Sequence, residues 1–286
     1  MMQTSNRPAT ASGTFSIGGD LPVHRLGFGA MRLTGKGIWG EPKDHDEAIA
    51  VLRTAVQLGI TLIDTADSYG PGVSEQLIAE GLYPYPPDLV IATKAGFQRP
   101  GPDQWVVDGR PKQLRDSCER SLRRLRLERI DLFQLHRIDE NVPLEDQIGT
   151  LNDLQREGKI RHIGLSEVSV EEIEAVRRLA TVATVQNRYN LGDRESENVL
   201  GYCTRENLGF IPWFPLAVGD LAKAGGPVAQ VAQRLGVLPS QVALAWLLAK
   251  SPVMLPIPGT SKVSHLKENT AAAALKLDES AMQELG

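Results

Sequence analysis

Eight short β-rich runs, each followed by a helix-like stretch, succeed one another along the chain: Leu26–Met31, Thr61–Thr65, Leu89–Thr93, Ile130–Leu135, Ile160–Leu165, Thr184–Arg188, Phe210–Phe214 and Val253–Ile257. In Lys112–Leu127, Leu114, Cys118, Leu122 and Leu125 fall on one helical face, and in Leu144–Glu157, Leu144, Ile148, Leu151 and Leu154 do the same. Gly158 stops the second helix, and Ser74 is the expected N-cap of a helix ending near Gly81. Strands alternating with helices predict a parallel sheet. Eight such units in 286 residues predict a closed α/β barrel, the (β/α)8 or TIM fold, which takes about 250 residues. No Pro/Gly-rich linker divides the chain, so residues 14–286 read as one domain, preceded by a small, polar, disordered tail over 1–13. Thr14–Ile17 and Leu21–Val23 flank Gly18-Gly19-Asp20 and predict a hairpin.

Composition narrows the partners. A net charge of −4 favours neither nucleic acid nor an anionic membrane. Residues Arg110–Arg129 carry eight basic side chains against three acidic, but they share a helix with its own apolar stripe and read as a solvated outer face. Cys118 and Cys203 are far apart and outside any CxxC spacing, which suits a reducing compartment. The first residues lack the apolar core of a signal peptide, and no run reaches the ~18 apolar residues of a membrane span. A soluble cytoplasmic protein, with no membrane partner, is expected. The histidines show no metal-ligand spacing, so no metal is expected.

On a barrel, function belongs at the C-terminal ends of the strands. The second strand ends Asp64-Thr-Ala-Asp-Ser-Tyr69, the third Thr93-Lys94 and the fourth Leu135-His136. Singly, each is explained by a turn, a salt bridge or a satisfied polar group. Together at one rim they suit carbonyl reduction, which needs a hydride on carbon and a proton on oxygen. Tyr69 would donate the proton, with Lys94 lowering its pKa and Asp64 holding Lys94 charged. His136 would orient the carbonyl. A Schiff base on Lys94 is the alternative chemistry these residues allow. Gly35-Lys-Gly-Ile-Trp-Gly40 spells a dinucleotide-binding string, but helical periodicity begins only near Asp46, too late for that motif. The loop reads instead as a substrate-pocket wall, with Trp39 facing the substrate.

At these residues the chain resembles the aldo-keto reductase family. The resemblance runs from Leu26 to about Ala273. It includes Ser121-Leu-Arg-Arg-Leu125 before Ile130-Asp-Leu132, Gly158-Lys-Ile-Arg161 before Ile163-Gly-Leu-Ser166, Val185-Gln-Asn187, and Ile257-Pro-Gly-Thr260. It implies a barrel closed at the bottom by the N-terminal hairpin. It implies Tyr69 as general acid with Asp64, Lys94 and His136, and NADPH/NADP+ as cofactor. It also implies a cofactor site formed by Ser166, Gln186, Trp213, Leu216, Gly259, Thr260, Lys262, His265, Glu268 and Asn269. The substrate would be a small carbonyl compound, and the protein a monomer. Glu167 stands where asparagine is common, Phe214 where serine is, and His265 where an arginine meets the adenosine 2′-phosphate, leaving Lys262 to carry that charge. A cofactor-sensing subunit with little turnover is the second function this family allows.

Overall fold

The computed structural model of the protein describes residues 7–216 and 226–286. The expected hairpin comes first, with β1 (Thr14–Ile17) antiparallel to β2 (Leu21–His24). Phe15, Ile17, Leu21 and Val23 alternate with outward residues and are buried. The hairpin lies over the starting ends of barrel strands. Phe15 packs against Gly209, and Asp20 pairs with Arg161 and His162.

Next come β3 (Phe28–Gly29), β4 (Leu62–Asp64) and β5 (Val90–Ala95), then a two-stranded loop excursion of β6 (Phe97–Gln98) and β7 (Val106–Val107). The barrel wall continues with β8 (Ile130–Leu135), β9 (Ile160–Ser166), β10 (Val182–Gln186) and β11 (Gly209–Phe210). Strands β3, β4, β5, β8, β9, β10 and β11 form one parallel sheet in that order. Residues Val253–Ile257 close it. Phe210 N donates to Val253 O and Leu255 N to Phe210 O, both at 2.8 Å, while on the other side Gly27 N donates to Pro256 O at 2.9 Å. Pro252 and Pro256 lack an N–H, so this eighth wall is an extended segment with sparse bonds rather than a regular strand. The seam is tight: a Cβ on Gly29 would stand 2.7 Å from Ile257 O, and one on Gly259 2.7 Å from Gly29 O. The (β/α)8 barrel read from the sequence is the fold.

Around the wall run α1 (His45–Gln57), α2 (Val73–Leu82), α3 (Pro111–Leu125), α4 (Leu144–Arg156), α5 (Val170–Arg177), α6 (Glu197–Glu206), α7 (Pro227–Leu235), α8 (Pro239–Lys250), α9 (Val263–Ala271) and α10 (Glu279–Leu285). Their starts follow local chemistry. Asp44 accepts from Glu47 N to cap α1, Ser169 and Glu172 form a capping box on α5, and prolines open α3, α7 and α8. Helix α3 buries Leu114, Cys118 and Leu125, each leucine contributing roughly 2 kcal/mol by leaving water. Its basic outer face is laced by Lys112–Asp116, Arg115–Glu157 and Lys159–Glu119 ion pairs. Both cysteines are buried, and burial pushes each thiol pKa up to about 12. No single helix among the described residues is long and apolar enough to cross a membrane. The apolar pair α7 and α8 meets at 100°, and α8 is packed into the core through Val242, Leu244 and Trp246.

Three expectations are corrected. Pro8–Ser12, placed in the disordered tail, is a 3-10 turn with Ala9 fully buried and its N–H bonded to Leu58 O. Ser74 is not a cap. Gly72 in the left-handed region precedes α2, and buried Ser74 instead bonds Thr65 Oγ1 and Ala30 O. The first barrel strand stops at Gly29, because the chain turns into a 3-10 segment over Ala30–Leu33.

Candidate active site

Asp64 ends β4, Lys94 lies near the end of β5, and His136 follows β8 directly. The strand ends bring all three to one rim, and the turn after β4 carries Tyr69 to the same place. Lys94 Nζ donates to Asp64 Oδ2 at 2.6 Å, to Thr65 O at 2.7 Å and to Tyr69 Oη at 3.5 Å. The other Asp64 oxygen accepts from Gln186 Nε2 at 2.8 Å and Gln134 Nε2 at 3.0 Å. A buried ion pair survives only when its remaining hydrogen-bonding positions are filled, and here they are. Gln134 has room to do this because residue 164 is glycine. A Cβ there would stand 2.8 Å from Gln134 Cγ and 2.4 Å from Thr184 Oγ1.

Burial works against charge on Lys94, but the Asp64 carboxylate and Tyr69 outweigh it and hold the ammonium pKa above its ordinary value. Tyr69 departs from the sequence expectation. Lys94 does pull its pKa down, yet burial is the larger effect and Asp64 adds to it, so the net shift is upward. The phenol therefore stays protonated and able to donate. His136 is driven well below the usual imidazole range, first by burial and then by the Lys94, Arg137 and Arg99 cations. It is a neutral ring. Its Nδ1 lies 3.5 Å from Ser68 Oγ, and if that hydroxyl donates, Nε2 carries the ring's proton.

Asp67, in the same turn, is buried and its Oδ1 has no hydrogen-bond partner among the described residues. Burial, with Glu75 nearby, raises its pKa to about 7. Between the ordinary carboxylate range and that value, the folded protein holds a proton the unfolded chain has released. Stability from this group is therefore full in acid and is lost as pH rises towards 7. Asp67→Asn is expected to remove the loss and to stabilise the protein at pH 8, with about 4 kcal/mol as the ceiling. Urea unfolding of both proteins at pH 5.5 and pH 8 checks it. An identical pH trend in the two would count against the assignment.

The rim opens into a pocket of about 460 Å³. Asp64, Tyr69 and His136 line it, as do Ser166, Gln186, Trp213, Leu216 and Gly259 from the expected cofactor set. Thr260, Lys262, His265, Glu268 and Asn269 lie on the chain that continues from Gly259 into α9. Lys262, His265 and Glu268 are exposed there, whereas Asn269 is buried. Thr260 Oγ1 accepts from Lys262 N, and Glu47 Oε1 accepts from Val263 N. Trp39 does not line the pocket. Its neighbour Ile38 does, and the Trp39 ring faces the Arg99 guanidinium instead.

The structure adds residues that the sequence reading passed over. Phe97, Trp105 and Arg137 line the pocket. Phe97 and Trp105 meet His136 edge to face at 4.8 and 6.3 Å, and Trp105 meets Tyr69 in the same way at 6.4 Å. Arg137 donates to Ser166 Oγ at 3.3 Å. Glu167, at φ +55°, accepts from Arg188 N and from the Trp213 indole N–H, and so fixes that ring. The signals were faint: an arginine directly after His136, and an isolated tryptophan in the polar loop after the third barrel strand.

The sequence motifs and the barrel agree with comparisons to known proteins. The chain is 51% identical to an oxidoreductase of Schizosaccharomyces pombe, over 97% of this chain and 90% of that protein. It is 41% identical to the pyridoxine 4-dehydrogenase of Escherichia coli, over 96% of this chain and 98% of the relative. Among solved structures, an aldo-keto reductase from Klebsiella pneumoniae in complex with NADPH superposes with a TM-score of 0.81 at 26% identity, covering 95% of this chain and 93% of that one. The family model described as "Aldo/keto reductase family" matches residues 25–286. That match takes in every barrel strand and the whole polar rim, and the chain belongs to the aldo/keto reductase family.

Proposed function

We propose that the protein is an NADP(H)-dependent carbonyl reductase that interconverts aldehydes or ketones and alcohols. One observation carries the reading: Asp64, Tyr69 and His136 face one pocket, and fully buried Lys94 is locked on Asp64 and donates to the Tyr69 hydroxyl. The residues beside them fit a nicotinamide. Trp213 offers a flat ring held along one edge by Glu167, and Ser166 offers a hydroxyl. Gln186 spends its amide N–H on Asp64, which leaves its carbonyl for the pocket. When bound, the cofactor supplies or accepts the hydride. His136, as a neutral donor, orients the substrate oxygen. Tyr69 passes its proton to that oxygen, and the phenolate left behind is stabilised by the Lys94 ammonium 3.5 Å away. In the reverse direction Tyr69 takes the alcohol proton back.

The NADPH complex of the Klebsiella relative supports NADPH as the cofactor. For its 2′-phosphate we assign Lys262, exposed at the start of α9, where helix geometry also favours an anion. Lys262→Ala is expected to reduce the preference for NADPH over NADH by about tenfold, the worth of one charge-assisted contact. Paired Kd titrations check this, and an unchanged ratio removes Lys262 from the role. The aromatic pocket and the E. coli relative's name together support a flat ring bearing a hydroxymethyl or aldehyde group, with pyridoxine the first alcohol to assay.

The deciding experiment is titration of the purified protein with NADPH and NADH by fluorescence, followed by oxidation of bound NADPH with a panel of aldehydes. Binding with turnover is the expected result. Binding without turnover on any carbonyl would favour a cofactor-sensing role, and no binding would overturn both.

A further inference from the structure

Arg99 makes no direct contribution to the proton path, yet it is only 9% exposed, and a buried arginine demands an explanation. Its bonds run to backbone carbonyls rather than to a carboxylate. Nη1 donates to Ser68 O at 2.9 Å and Ile38 O at 3.1 Å, Nη2 to Gly37 O at 2.9 Å, and Nε to Gln104 O at 2.8 Å. Those four carbonyls belong to three separate loops, after the first, second and third barrel strands. The guanidinium also lies 3.7 Å from the centre of the Trp105 ring, and Trp105 in turn packs edge to face on Tyr69 and His136.

We propose that Arg99 is the positioning residue for the substrate side of the pocket, tying three loops together against Trp105 and so setting a preference for flat aromatic carbonyl compounds. The proposal rests on the carbonyl-reductase reading of the site.

The backbone supports it. Ile38 lines the pocket at φ +53°, a region that a β-branched residue occupies only when its surroundings hold it there. Arg99 supplies part of that hold at Gly37 O and Ile38 O. Gly70 supplies more, with its N–H on Ile38 O at 3.3 Å and its own carbonyl accepting from Gly40 N at 2.8 Å. Because Gly70 follows Tyr69, the loop that carries Ile38 and the turn that carries the proton donor are fastened to one another. A planar fork with five donors can reach four carbonyls and still lie flat on an indole, whereas a lysine ammonium can do neither. Arg99 thus holds two parts of the wall, Ile38 through its carbonyl and Trp105 through its ring, and with Phe97 these residues cover a ring rather than a short aliphatic chain.

The test compares the full-length protein with Arg99→Lys and with Trp105→Ala, which removes the wall but leaves the loop carbonyls bonded. The substrates are pyridine-4-carboxaldehyde, which needs the wall, and propanal, which is too short to use it. For Arg99→Lys the KM for the aromatic aldehyde is expected to rise by about tenfold or more with little change in kcat, the scale of losing part of an apolar pocket. Propanal kinetics and NADPH Kd should stay near wild type, the thermal midpoint should fall because the loop carbonyls lose their donors, and acrylamide should quench tryptophan fluorescence more strongly. Trp105→Ala should reproduce the KM effect. Equal losses on both aldehydes, a parallel loss of NADPH binding, or an unchanged KM would overturn the proposal. If wild-type protein turns over neither these aldehydes nor any of the wider panel, the reductase reading fails. Unchanged acrylamide quenching in Arg99→Lys would then independently overturn the hold of Arg99 on Trp105.

Discussion

Replacing Tyr69 by phenylalanine is expected to lower kcat for carbonyl reduction by about 10²–10⁴-fold, the usual worth of a positioned general acid, and to leave NADPH binding in place. The ring stays, so the edge-to-face contacts with Trp105 and His136 and the packing of the turn survive. Only the hydroxyl facing Lys94 is lost. Neither His136 nor Lys94 is equipped to replace it. His136 is neutral and its pKa is held well below the ordinary value, so it has no surplus proton near pH 7. Lys94 is held charged on Asp64 and Thr65. Steady-state rates with NADPH and an aldehyde, set beside a cofactor titration, make the check. Activity within tenfold of wild type would remove Tyr69 from the role of proton donor.

Lys94→Met is expected to cost about 3–5 kcal/mol of stability, because it leaves the Asp64 carboxylate buried without its counter-ion. Gln134 and Gln186 would still donate to Asp64, but neutral amides do not cancel a charge at a site only 2% exposed. The double variant Asp64→Leu with Lys94→Met should recover part of that stability, since an apolar pair of similar volume often replaces a buried ion pair at little cost. It should not recover activity, because the phenolate formed at Tyr69 would have no cation beside it. Urea unfolding and turnover together separate the two contributions. A single variant within 1 kcal/mol of wild type would mean that water or a local rearrangement already solvates the pair.

Part of the site was legible before folding. Asp64, Lys94 and His136 could be found because each sits at the end of a β-rich run, and parallel strands in a barrel end on one rim whatever the details of packing. Trp39 was placed wrongly by one residue. In that loop Ile38, at φ +53°, lines the pocket, and the Trp39 ring faces Arg99. Residues 1–6 and 217–225 fall outside the described residues, so the first part of the expected tail is not covered by the correction at Pro8–Ser12.

The sequence by itself determined the alternation of strands and helices, the hairpin at Gly18-Gly19-Asp20 and the strand-end positions of Asp64, Lys94 and His136, because these depend on periodicity, turn chemistry and connectivity. The tertiary structure alone decided the rest. It brought Gln134 and Gln186 onto Asp64, turned the Tyr69 pKa upward, set Glu167 on the Trp213 indole, and drew loops from three strands onto Arg99. Each of these effects depends on burial, or on contacts between residues distant in the chain. A pKa follows the solvent and charges around a group, and a loop's contacts follow the scaffold that delivers it.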